Sequence, residues 1–242
     1  MWKESLRWEN LPVSWPIFTS LLSILLSLIH LFRQANINNW YLECNKISNR
    51  FDKRLYGWQF LHFNLKHISR NIFGFSIYGA IAESILGNVP FLLTFLGFCI
   101  SMPNEWYDQK LESNNCRAEH IIGLSGVIQA FGIISVFSTF YRLIFVFIRT
   151  KCPNKNLCRN GRRHREMLAC IRIACYCPGF IFSLAVVLHS LFNDVLWPSP
   201  GLANDIHILG YIQGCKSILL LLPFCILRDF CKRSKPRVKN TE

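Results

Sequence analysis

Residues 124–148, LSGVIQAFGIISVFSTFYRLIFVFI, decide the fold. Arg142 is the single charged side chain in this run, and a helix needs only about 20 predominantly apolar residues to cross a bilayer. The stretch therefore reads as a membrane span. A serine flanked by Leu124 and Gly126 opens it. Polar groups in a membrane are costly and turn toward a protein interior or a water-filled cavity, so this hydroxyl is the first candidate for function.

Working outward, windows of about 20 residues mark five more spans: Val13 to Phe32, Phe60 to Ala82, Val89 to Trp106, Met167 to Phe192 and Ile206 to Leu227. The second is the least apolar, with His62, Lys66, His67, Arg70 and Asn71 at its start, and Lys66 and Arg70 are expected to snorkel to an interface or to water. Pro178-Gly179 is expected to kink the fifth. The expected fold is an all-α membrane protein, a bundle of six transmembrane helices. Composition agrees: 51% of residues are hydrophobic and 17% charged, where soluble domains carry about 25% charged residues.

The net charge of +13 invites a nucleic-acid reading, but such binders gather their basic residues on one folded face. Here the basic residues fall between apolar spans, where they orient the chain and meet anionic lipid, so no nucleic-acid partner is expected. With the N-terminus inside, Lys3, Arg7, Arg149, Lys151, Lys155, Arg159, Arg162, Arg163, Arg165, Arg228, Lys232, Arg233, Lys235, Arg237 and Lys239 lie on the inner side. Arg33, Lys46, Arg50, Lys53, Arg54, Lys110 and Arg117 lie outside. The cytoplasmic side carries the Lys/Arg excess. The expected organisation is a cytoplasmic N-terminal segment (1–12), a six-span domain (13–228) with a basic cytoplasmic loop at about 149–166, and a basic cytoplasmic tail (229–242). The expected location is multi-pass in the cell membrane, without a cleaved signal peptide. In the outer segment from Arg33 to Gln59, Trp40, Tyr41, Tyr56 and Trp58 are expected to anchor in the headgroup layer.

The eleven cysteines form no secreted-type framework. Most lie in or beside apolar spans and act as small hydrophobes. Cys152, Cys158, His164 and Cys170 match no standard zinc spacing, and neither metal nor organic cofactor is expected.

In this topology spans two, four and six all begin on the outer side. His62, His67 and Asn71, then Gly123-Leu-Ser125-Gly126, then Asp205-Ile-His207 thus fall at one depth. His67 and Asn71 are four apart and share a helix face. His207, Gly210 and Gly214 share another, and Gly126 and Ala130 are four apart. Small residues at this interval let membrane helices approach closely. A tight crossing of spans four and six would bring Ser125 within reach of His207, and a hydroxyl needs an adjacent base to become a nucleophile. The bland alternatives are a packing serine at a glycine-rich crossing, an interfacial histidine satisfied by water, and an interhelical hydrogen-bond pair at His67 and Asn71. The last is compatible with catalysis.

The run His62-Phe-Asn-Leu-Lys-His67-Ile-Ser-Arg-Asn71, the tetrad Gly123-Leu-Ser125-Gly126 and His207-Ile-Leu-Gly210 resemble, in order, the three signatures of rhomboid intramembrane serine proteases. Ala82-Glu83 with Leu86-Gly87 fits the pattern as well, and the resemblance covers about residues 50–220. It implies a six-helix rhomboid-like bundle and a serine endopeptidase that cleaves single-span membrane proteins near the outer end of their transmembrane helix. Ser125 is then the nucleophile and His207 the general base and acid. His67, Asn71 and the Ser125 backbone N–H form the oxyanion hole, and Gly123, Gly126, Gly210, Gly214 and His62 are supporting residues. The family's dyad needs no aspartate, so Asn204 or Asp205 is expected as the cap of the sixth span.

Two departures bear on activity. The family often places an aromatic on the catalytic histidine where this chain has Gln129, and often has Trp-Arg in the outer loop where this chain has Lys53-Arg54. An inactive rhomboid-like scaffold for membrane proteins is therefore the alternative. A transporter would place its polar groups at mid-membrane, whereas these lie near one surface.

Overall fold

The computed structural model describes residues 16–33, 47, 49–113, 121–151, 159–196 and 204–234, with backbone alone at 33, 113, 149–151, 159–172, 174–175 and 228–234. Among these the only regular structure is helical: α1 (Ile17–Arg33), α2 (Lys53–Gly57) with a 3-10 turn (Trp58–Phe60), α3 (Leu65–Leu86), α4 (Asn88–Ser113), α5 (Ser125–Lys151), α6 (Arg159–Leu196) and α7 (Asn204–Ser234).

Three helices are long and apolar enough to cross a membrane: Ser125–Ile148, Tyr176–Leu196 and Asn204–Leu227. The chain is thus mostly helical, with the makings of a membrane protein. The other three windows of the sequence fall short for visible reasons. α1 is apolar over Ile17–Phe32 but shorter. α3 carries Lys66, Arg70 and Glu83, and α4 continues past Pro103 through Glu105, Asp108, Lys110 and Glu112. Ile181, Leu188, Leu219 and Leu220 are all more than half exposed, an apolar exterior larger than soluble monomers tolerate.

α5 is the central helix, packing most extensively against α7, α6 and α3. The Phe131 ring on it meets Phe75 of α3 and Phe91, Phe95 and Phe98 of α4 at centroid distances of 5.0–6.4 Å. The Phe95 contact is stacked and the other three are tilted or edge-on, geometries that aromatic pairs adopt readily when offset, and all five rings are buried. Glycines bring the helices together: a Cβ on Gly74 would lie 3.1 Å from Ile128, and one on Gly132 would lie 3.0 Å from Val187.

Local chemistry sets the boundaries. The Asn64 side chain accepts the His67 N–H at 2.8 Å and caps α3. The helix ends at Gly87, whose φ of +94° is open to glycine and whose N–H donates to the Glu83 carbonyl. Asp52 caps α2 through the Arg54 N–H.

Several expectations change. Trp58 is buried, with Nε1 donating to the Leu55 carbonyl at 2.9 Å, so it is a core residue; the turn beneath it folds inward. Tyr56 is half-buried, its hydroxyl within hydrogen-bond distance of Asn104. Trp40 and Tyr41 lie outside the described residues. Pro178 and Gly179, where a kink is expected, lie inside α6. α5 and α6 take up both flanks of the expected loop at 149–166, leaving 152–158 between them. Asn204 is the first residue of α7 rather than a residue ahead of it, and its Oδ1 is buried with no partner among the described residues. Asp205 pairs with Lys110 Nζ at 2.7 Å, so neither caps as expected. The side chains of Cys152, Cys158, His164 and Cys170 lie outside the described residues.

Candidate active site

Ser125 is the first residue of α5 and is partly buried. The approach to it is constrained at Gly123, whose φ is +109° and whose N–H donates to the Trp58 carbonyl at 3.0 Å. A Cβ there would lie 2.8 and 2.9 Å from the His67 ring and 3.1 Å from Asn71 Nδ2. Both backbone conformation and space therefore demand glycine, and the tetrad lies directly against the His67–Asn71 face of α3.

The α5–α7 crossing is a backbone contact. A Cβ on Gly126 would sit 2.6 Å from Ile206 Cγ2 and 2.9 Å from its carbonyl oxygen. One on Gly210 would run into the Gly126 carbonyl, and one on Gly214 would lie 2.8 Å from that of Ala130. Gly126 follows Ser125 and Ile206 precedes His207, so the hydroxyl and the imidazole stand on adjoining residues of two touching helices. His67 and His207 are also close enough to interact electrostatically. The structure thus gathers His67, Asn71, Gly123, Ser125, Gly126, His207 and Gly210 at one end of the bundle, with Gly214 one turn further along. Among the described residues no hydrogen bond joins Ser125 to His207.

Asn71 is buried and its Nδ2 lies 2.9 Å from His62 Nε2 and 3.4 Å from His67 Nε2. An amide nitrogen only donates, so Nε2 of His62 accepts. His62 is buried and its Nδ1 has no partner among the described residues. Its place is underneath the amide, orienting it, with His30 of α1 at 6.4 Å between ring centroids. His62, expected only as a supporting residue, thus makes a direct contact with Asn71.

The Lys53 and Gln129 departures have distinct settings. Arg54 Nη2 pairs with Asp52 at 2.9 Å, at the start of α2. Gln129 Nε2 donates to the Ser190 hydroxyl of α6 at 2.8 Å. His207 has a polar partner the sequence reading omitted: its Nδ1 lies 2.9 Å from Asp194 Oδ1, with side-chain exposures of 14% and 8%. Tyr211 donates to the other oxygen, Oδ2, at 2.9 Å. The available signal was a carboxylate closing the apolar run of α6 at the end of the bundle where the other polar clusters lie.

Comparison with protein-family models, with curated proteins and with solved structures finds no match to this chain.

Proposed function

We propose that this chain is a rhomboid-type intramembrane serine endopeptidase, with six spans and both termini cytoplasmic, resident in the cell membrane. The observation that carries the reading is the glycine-mediated contact of Gly126 with Ile206 and Gly210, which sets Ser125 and His207 on touching helices beside His67 and Asn71.

The chemistry follows from these groups. Ser125 Oγ attacks the scissile carbonyl while His207 takes its proton. The tetrahedral intermediate places negative charge on the former carbonyl oxygen, where the Ser125 N–H and the His67 and Asn71 side chains are the donors. Its collapse breaks the C–N bond as His207 returns the proton to the leaving amine. Water, deprotonated by His207, then attacks the acyl-serine ester; the carboxyl product departs and Ser125 regains its proton. The substrate is a single-span membrane protein. Peptide groups within a regular helix are hydrogen-bonded, so cleavage favours Gly, Pro or other helix-weakening residues near the outer end of the span. Membrane lipid is the second partner.

The test is reconstitution in liposomes with a generic single-span substrate, comparing wild type with Ser125→Ala and His207→Ala. Cleavage by wild type alone is expected, as is covalent labelling by a fluorophosphonate probe that Ser125→Ala abolishes. Equal cleavage by all three proteins overturns the reading. The alternative, a catalytically silent rhomboid-like scaffold, draws on Gln129, which leaves His207 without the family's aromatic. A folded wild type that neither cleaves nor labels favours it.

A further inference from the structure

Resting on the protease reading, we propose that Asp194 is a positioning residue for His207: it holds the imidazole with the proton on Nδ1 and the Nε2 lone pair free for Ser125. The resemblance supplies a dyad; the structure adds a third member from α6.

The argument begins with what each atom can do. An ionised carboxylate only accepts hydrogen bonds. Asp194 Oδ1 lies 2.9 Å from His207 Nδ1, so Nδ1 must carry the hydrogen, and in the neutral ring Nε2 is then the basic nitrogen. A histidine without such a partner distributes its proton between both nitrogens, and only one of the two tautomers can accept from a given hydroxyl. Fixing the tautomer and ring orientation is the service a buried carboxylate performs in serine hydrolases generally.

Asp194 is itself held. Its Oδ2 accepts from the Tyr211 hydroxyl at 2.9 Å, so both carboxylate oxygens are engaged by α7. Ser190 of α6 accepts from Gln129 Nε2 at 2.8 Å. Tyr211 is one turn past His207 on α7, so the carboxylate joins α6 to two successive turns of α7, while Gln129 of α5 reaches α6 one turn before Asp194. With a glutamine in place of an aromatic at 129, the polar contact on the His207 ring is the Asp194 carboxylate. Asp205 is nearer to His207 in sequence, but its carboxylate is more than half exposed and paired with Lys110.

The test pairs a rate with a direct view of the ring. Protein labelled with 15N-histidine reports whether Nδ1 or Nε2 of His207 is protonated, the resonance being assigned with His207→Gln. Wild type is expected to show the Nδ1–H form. Asp194→Asn and Asp194→Leu are expected to lose that preference and to lower kcat with KM little changed. The drop in kcat is expected to reach up to about 10⁴-fold, the size found when a catalytic imidazole is left in the wrong tautomer, with partial recovery in Asp194→Glu. A wild-type ring protonated on Nε2, or variants that keep the Nδ1–H form, overturns the inference. So does a loss of activity that tracks a lowered unfolding temperature while the tautomer stays unchanged. If wild type neither cleaves nor reacts with a fluorophosphonate while the tautomer still depends on Asp194, the protease reading falls and the Asp194–His207 coupling stands.

Discussion

The carboxylate of Glu83, near the C-terminal end of α3, binds the first turn of α1 through Thr19: Oε2 accepts both the backbone N–H and the hydroxyl of that residue at 2.8 Å, and Oε1 accepts the Phe18 N–H at 2.9 Å. The first N–H groups of a helix have no partner within it, and negative charge there is favoured by the helix dipole. Glu83 is fully buried, so its removal strands these donors where water is scarce. Glu83→Ala is expected to cost about 1–3 kcal/mol for each unsatisfied group, read as a lowered thermal midpoint in detergent. An unchanged midpoint would show that α1 finds other acceptors.

Gly123→Ala is expected to abolish fluorophosphonate labelling of Ser125. The methyl would sit 2.8 Å from His67 Cε1 in a chain already at φ +109°, and strain of this kind costs on the order of 1–3 kcal/mol. Because Gly123 packs against His67 and Asn71 of α3, the damage is expected to fall on the proposed oxyanion donors as well as on Ser125. Gly97, whose Cβ would meet nothing within 4 Å, is the control: Gly97→Ala should label at the wild-type rate.

Asn71→Ala removes one oxyanion donor and leaves His62 Nε2 without the amide that donates to it at 2.9 Å. Deleting an oxyanion donor lowers kcat by about 10²–10³-fold. The loss is expected in kcat rather than in KM, since the oxyanion exists only after attack. Equal effects on both would make Asn71 a packing residue.

Much of this site is written in local spacing. His67 and Asn71 four apart, Ser125 before Gly126, and His207 three residues ahead of Gly210 are patterns visible along one helix at a time, and the structure places all of them at one end of the bundle. What local spacing does not hold is the meeting of Asp194 with His207. These residues lie on different helices, and their contact depends on how the end of α6 comes to rest beside the start of α7. Trp58 shows the same limit from the other side. An aromatic in a polar segment reads as a headgroup anchor, but the turn at Trp58–Phe60 folds inward and supplies the carbonyl that holds Gly123. Spans were legible in α5, α6 and α7, whose apolar runs are long enough to cross a membrane; α3 and α4 carry charged residues such as Glu83 and Lys110 that make contacts between helices.

The two aspartates flanking the α6–α7 connection make opposite predictions. Asp205 side-chain exposure is 54%, while its partner Lys110 on α4 is at 12%; with the carboxylate itself open to water, losing its charge is expected to cost about 1 kcal/mol, the upper end for solvent-screened pairs. Asp205→Asn is therefore expected to leave cleavage and the His207 tautomer at wild-type values and to shift the unfolding midpoint only slightly. Asp194, at 8% exposure, is bonded to His207 Nδ1, so its removal leaves a largely buried N–H without its acceptor. Measured side by side under one set of lipid and salt conditions, Asp205→Asn and Asp194→Asn should differ in kcat by orders of magnitude while differing in sequence position by only eleven residues. If the Asp205 variant were the inactive one, the imidazole would have to take its orientation from the exposed N-terminal turn of α7, and the carboxylate on α6 would be a helix-packing group.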